Sequence, residues 1–479
     1  MFAGVPVACY LGGMLPRVTI RPMMEEPAMY KEMEMTEKRF HSWMRRVTWA
    51  SVPAVVTVAL ASFHGQALSQ EMVTFTKDVA PVLQQNCQIC HREGSIGPMS
   101  LITYDQAKLY APLIKLKVTT QQMPPYQYDT DVGIQALKSD QRLSPEEIET
   151  IVQWVDHGTP MGDPADMPPA RMFADLDEWR LRAEFDYGEP DIVVNSNPIT
   201  IPADGQDLWW EPLVPIGNTT PRYIRAIEVK PSQEGFNVVH HANTTMSVME
   251  DGELRSQRGR FTEYASGKLG EIVPSDAARL LPPDSYVRWS IHMRPNGEEV
   301  VDDVVSLGFW LYPEGYEPEY TQDLKNYALE GDLDIAPHGT AMTQGFHTWD
   351  HPVRIDSFQP HGHLRLVAKS LEIFFPDTGE REMVSMVSNW NAEWQISHIY
   401  EEDVAPLVPA GAVMILTAWY DNTENNPHNP DPEVWVGRGS RTADEMSHAW
   451  IAVTHLDDDG YESIKAAREV VQPVAQGGG

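Results

Sequence analysis

Cysteine is nearly absent: 479 residues carry three, and Cys9 stands far from Cys87 and Cys90. No disulfide framework is therefore available to the body of the protein, whatever its compartment. Basic residues are also scarce, with 36 Lys and Arg against 69 Asp and Glu and a formal charge of −33. A surface of that sign repels phosphate backbones and anionic lipid, which excludes nucleic acid as a partner and argues against a lipid surface. Long apolar runs are lacking too. The uncharged stretch 47–62 follows Arg45 and Arg46 and precedes Ala67-Leu68-Ser69, a small-x-small cleavage pattern. At about 16 residues it falls short of the roughly 20 that a span needs. Residues 1–69 thus read as a leader and signal peptide, with an uncleaved anchor as the competing view. The mature chain would begin near Gln70, be periplasmic or secreted, and keep no stable membrane span.

What is present begins with Cys87-Gln88-Ile89-Cys90-His91. Two thiols three positions apart can bond the two vinyl groups of one porphyrin, and the adjacent histidine then lies under the iron. The alternatives are a C-x-x-C redox pair or half of a zinc site. The chain shows neither a thioredoxin-like pattern nor a second ligand pair of similar spacing. Cys87, Cys90 and His91 therefore read as the attachment points and proximal ligand of haem c. Helix signals flank them. Thr76 can cap a helix carrying Val79, Val82 and Leu83 on one face. Ser144-Pro145-Glu146-Glu147 joins a capping box to a first-turn proline, Ile148, Ile151, Val152 and Val155 recur at helical spacing, and Gly158 ends the period. An opening and a closing helix around a haem motif resemble a small all-α cytochrome c domain over 70–158. Met123, heading the stiff corner Met123-Pro124-Pro125, is the preferred sixth iron ligand, and Met99 is its competitor.

A proline-rich linker follows at 159–172, and then the texture changes. Short apolar runs at 191–194, 223–229, 304–312, 353–355, 364–375 and 412–420 read as strands, and few helical periods interrupt them. Some 300 residues of this kind exceed one sandwich, so two antiparallel β domains are expected, 173–325 and 326–470, before a flexible tail at 471–479. Their join is placed within the weakly patterned stretch 314–336.

Histidine pairs occur in this region. His240-His241 end the strand-like run Phe236-Asn237-Val238-Val239, and His361-Gly362-His363 open another. In a strand, i and i+2 share a face, so His361 and His363 can reach one ion. His240 and His241 would point oppositely, so joint ligation demands a bulge or a strand end. Singly these motifs are weak: with 16 histidines in the chain, a chance His-His or His-x-His is expected, and hydrogen-bonded histidine at strand ends is the plain alternative.

Taken in order, Val239-His240-His241-Ala242, Ile291-His292-Met293-Arg294-Pro295-Asn296-Gly297, Pro360-His361-Gly362-His363-Leu364 and Asp444-Glu445-Met446 resemble the copper type II, ascorbate-dependent monooxygenases. That is the family of peptidylglycine alpha-hydroxylating monooxygenase and dopamine beta-monooxygenase. Trp390-Asn391-Ala392-Glu393-Trp394-Gln395 and Tyr420-Asp421-Asn422 add weaker support. The resemblance implies two jelly-roll-like β-sandwich domains. It implies one copper on His240, His241 and His292, and a second, catalytic copper on His361, His363 and Met446. A thioether suits Cu(I). The animal enzymes carry disulfides, which this chain cannot form, and no residue here matches their substrate-anchoring groups, so no peptide or catecholamine substrate is inherited.

The expectation is an exported, haem-fused copper monooxygenase that hydroxylates an aliphatic C–H bond of a small molecule with O2. Its electrons would come from an external donor, ascorbate or a redox protein, through the haem. The other class is a non-catalytic haem and copper electron carrier or copper-binding protein. A zinc hydrolase is weaker, because Met446 is a poor zinc ligand.

Overall fold

In the computed structural model, residues 72–138, 140–173, 178–265, 268, 270–328, 333–394 and 396–471 are described. The leader at 1–69 and the tail beyond 471 lie outside them. The protein is mainly β, 38% strand against 16% helix, arranged in several sheets.

Helices occupy the first part. Phe75–Val79 is a π turn running into Ala80–Asn86. It is preceded by Thr74, whose backbone N–H donates to the Asp78 carboxylate at 2.7 Å. Thr76 is therefore not the cap expected from the sequence: it is buried within the turn, because Asp78 already satisfies the opening amide. Tyr104–Thr119 starts from a capping box of Thr103 and Gln106, which the sequence reading passed over. Pro145–Asp156 starts from the Ser144 box as expected. Phe75, Val79, Leu83, Ala107, Ala111 and Trp154 close a small core among these helices.

The segment after Pro125 behaves differently, although it falls inside the range read as one helical domain. Tyr126, Tyr128 and Leu137 sit in the core of the second β region, and the backbone amides of Asp129, Ile134 and Lys138 donate to Met386, Val384 and Ile399. It is a strap across the β layers.

Those layers are long and mostly antiparallel. The largest sheet runs in the order Ile192–Asn195, Val305–Leu311, Arg222–Pro231, Ala277–Leu281, Tyr320–Asn326, His448–His455, Val353–His361, His398–Ile399. Facing its first half is a sheet of Leu208–Trp210, Ser285–Met293, Val239–Glu250 and Glu253–Ala265. Between them pack Ile227, Leu307 and Phe309 from one side and Phe261, Val287 and Trp289 from the other. Facing its second half is a sheet of Thr340–Thr348, Val413–Asp421, Leu366–Phe375 and Glu380–Val387. Val353, Ile355, Ile451 and Val453 meet Leu371, Ile373, Met414 and Leu416 there.

The join read from the sequence as weakly patterned is itself a strand. Tyr320–Asn326 pairs in parallel with Ala277–Leu281 and antiparallel with His448–His455. Its buried side chains are Gln322 and Leu324, and Gln322 sits in a network of buried ion pairs that lines the seam. Arg279 lies 2.8 Å from Glu271 and donates to Gln322 at 2.7 Å. Gln322 donates to Asp356, and Arg354 bridges Asp356 and Asp276. A helix that periodicity did not reveal, Asp458–Val471, follows the last strand. No helix among the described residues is long and apolar enough to cross a membrane.

Candidate metal centres

Strands Val239–Glu250 and Ser285–Met293 lie side by side, with His292 opposite His241 but Met293 opposite Val239. His240 is the extra residue of a bulge. Such a residue breaks the alternation and swings two consecutive side chains to one side. The run 236–239 is not the strand expected: Gly235–Asn237 is a 3-10 turn and the strand begins at Val239. The histidine pair thus opens this strand, where bulging disturbs few ladder bonds.

The three imidazoles converge. His240 Nδ1 lies 3.1 Å from His241 Nδ1. One donor atom from each of His240, His241 and His292 lies within 4.8 Å of the others. His292 Nε2 faces an Asp207 carboxylate oxygen at 2.8 Å, while its Nδ1 is buried without a partner. The carboxylate fixes the tautomer with the proton on Nε2, so Nδ1 presents its lone pair inward. Trp209, opposite His292 in the neighbouring strand, stacks on that ring at 4.3 Å. Burial, reinforced by Arg294, pushes His240 down to about 4. Burial and the neighbouring His240 push His241 down to about 3. Both are therefore neutral at neutral pH, the form that ligates a metal. An orphaned buried nitrogen facing two neutral imidazoles fits a copper or zinc ion.

The second set lies on the other half. His361 closes strand Val353–His361 and does not open one, and Gly362 and His363 fall in the bend after it. The i, i+2 argument for a strand therefore does not apply. A Cβ on Gly362 would come within 2.5 Å of Leu366, so the bend needs glycine. Buried Glu445 holds it, accepting from the amides of His363 at 2.5 Å, Arg365 at 2.9 Å and Leu366 at 3.2 Å. The same oxygen that receives His363 receives the amide of Met446 at 2.8 Å. The structure thereby brings the backbones of His363 and Met446 together, and the His361 and His363 rings lie 5.5 Å apart. His363 Nδ1 faces the Asp444 carbonyl at 3.1 Å, so Nε2 is the ring nitrogen that could hold a metal. His361 stacks on His448 at 5.3 Å.

At the pentapeptide, the His91 amide donates to Cys87 O at 2.9 Å and the Cys90 amide to the same oxygen at 3.2 Å. One helical turn thus sets Cys87, Cys90 and His91 on a common face. Both thiols are free, and burial pushes Cys87 up to about 12. His91 Nδ1 faces the carbonyl of Met99 at 3.2 Å, and a Cβ on Gly97 would stand 2.7 Å from that nitrogen. The loop from His91 to Met99 is thus closed on the Nδ1 side, leaving Nε2 as the open ring nitrogen. Cys90 and Ile89 border a cleft shared with Phe236, Tyr264 and Lys268. This donor set fits haem. Met99 packs beside Cys87, Val82 and Leu101, while Met123 borders a cavity with Val118, Leu143 and Ile148.

Asp207, Trp209 and Glu445 were not singled out from the sequence. Asp207 carries no local signal, because it is recruited from a strand connection 85 positions before His292. Trp209 had one, the apolar run Leu208-Trp209-Trp210.

The fold and site define a mainly β protein with a three-histidine candidate metal centre. No family model matches the chain, and no curated protein does. Among solved structures it is similar, at a TM-score of 0.17 and 12% identity, to an Aeromonas sobria serine protease and chaperone complex, covering 45% of this chain and 36% of that one. It is also similar to the VP2 subviral particle of infectious bursal disease virus, at a TM-score of 0.18 and 7% identity over 60% of this chain and 79% of that one.

Proposed function

We propose that the protein is a copper-dependent monooxygenase with its own c-type haem, built on two jelly-roll-like sandwiches behind a cytochrome c-like domain. The observation that carries this reading is the convergence of His240, His241 and His292 on a bulge, with a buried, unpartnered nitrogen facing inward. His240, His241 and His292 would hold one copper, and His361, His363 and Met446 the other. Copper at these sites and haem at Cys87, Cys90 and His91 supply one-electron transfer and oxygen activation when bound.

The protein's own groups supply position. Asp207 keeps the His292 proton on Nε2, and Glu445 holds the bend carrying His363 beside Met446. A thioether is a soft donor that favours the reduced ion. The net reaction places one oxygen atom in an aliphatic C–H bond and the other in water, consuming two electrons from an external donor such as ascorbate or a redox protein and two protons from solvent.

Metal analysis of the full exported chain should return two coppers per haem. Oxygen uptake with a reductant should rise on adding aliphatic substrates and fall at least tenfold in Met446→Ala, while His240→Ala loses one copper. Two coppers with no substrate-dependent uptake would leave the electron carrier in place of the enzyme. Zinc at the three histidines would overturn both. Rapid mixing of reduced haem with oxidised copper should oxidise the haem within one turnover.

A further inference from the structure

His351 lies in the turn between strands Thr340–Thr348 and Val353–His361, and His455 ends strand His448–His455. Their facing nitrogens, His351 Nε2 and His455 Nδ1, are 2.8 Å apart. The outer nitrogen of each ring meets a carboxylate. His351 Nδ1 lies 2.7 Å from Asp350 Oδ1, and His455 Nε2 lies 2.9 Å from Asp323 Oδ2.

Both carboxylates are ionised acceptors. Asp323 Oδ2 also lies 2.5 Å from Lys325 Nζ. Tyr327 also donates to Asp323 at 3.3 Å. An ionised carboxylate can only accept, so both outer nitrogens carry the protons. With both outer nitrogens donating outward, the inner nitrogens present their lone pairs to each other, and a cation, one added proton or a metal ion, would join them. Imidazoles backed by carboxylates are the usual form of metal-binding histidine.

We propose that His351 and His455 form a further site for a divalent transition-metal ion of the zinc or Cu(II) class, with Asp350 and Asp323 as the outer partners that orient them. A zinc ion with Zn–N of ~2.0–2.1 Å sets its nitrogens about 3.3 Å apart, so the rings must part by about half an ångström. His351 has 41% of its side chain exposed and His455 28%, which leaves room for that movement and for solvent to complete the coordination. The inference is independent of the copper reading.

Zinc is the probe. The chelator-treated full chain, equilibrated with zinc and desalted, should retain one more ion per chain than the double variant His351→Gln, His455→Gln. Asp323→Asn should weaken that ion by about 10- to 100-fold. Anomalous scattering from zinc-soaked wild-type crystals, which requires no variant to fold, should show a peak between the two rings. Equal stoichiometry in wild type and double variant, or no peak there, overturns the site and shows that the pair shares a proton alone. A peak at His240, His241 and His292 is scored separately.

Discussion

Asp207 acts on the three-histidine centre through one hydrogen bond, to His292 Nε2. Asp207→Asn keeps the size of the group but loses the charge that raises ligand basicity, and outer partners of this kind are worth about 10- to 100-fold in metal affinity. Chelator competition should show that loss with the fold unchanged. A second residue, His398, is fully enclosed by Tyr126, Tyr128 and Phe358, and neither of its ring nitrogens has a partner. Burial, then Arg142, pushes it down to about 3. Between that value and the unfolded histidine range near 6.5, the unfolded chain binds a proton that the folded chain refuses. Stability from this residue is therefore complete above about pH 6.5 and falls on acidification by up to about 1.4 kcal/mol per pH unit. His398→Phe should shift the acid-unfolding midpoint, followed by tryptophan fluorescence, to lower pH.

At the scale of elements, caps and bulges do the positioning. Thr103 and Ser144 each close a reciprocal capping box, and removing such a hydroxyl costs about 1 kcal/mol. Thr103→Ala and Ser144→Ala should each lower the unfolding free energy from urea denaturation by that amount, and the pair should be additive because the two helices start at different places. The Ser144 box was legible because its signal is local: Ser, Pro and Glu within four positions. The Thr103 box had the same kind of signal but a weaker period behind it, since Tyr104–Thr119 contains Pro112 and exposes Leu109 and Leu116. The strand at Tyr320–Asn326 was not legible at all. Of its buried pair only Leu324 is apolar, while Gln322 meets Arg279 and Asp356, and periodicity of apolar residues is blind to such a polar partner.

For the whole molecule, the decisive feature is that one sheet passes through both β regions, with the Arg279, Glu271, Gln322 and Asp356 network at the seam. Removing one partner of a buried ion pair leaves the other uncompensated and costs about 3–5 kcal/mol. Arg279→Met should lose about that much in chemical denaturation. In wild type the two β regions should unfold in one calorimetric transition, because neither can leave the other without opening the sheet. The strap at Tyr126, Tyr128 and Leu137 strengthens that coupling by binding a segment next to the helices into the second core.

Local chemistry is what the amino-acid order determined without help: a Cys-x-x-Cys-His pentapeptide within one turn, a helix announced by its own cap, and apolar strands set off by turns. Each depends on neighbours a few positions away, so it survives in one dimension. Tertiary structure alone decided which side His240 faces, since the bulge exists only against Ser285–Met293. It also decided that Asp207 reaches His292 and that one Glu445 oxygen holds both His363 and Met446. These are contacts between distant segments, and their geometry is created by sheet register, which no single segment carries.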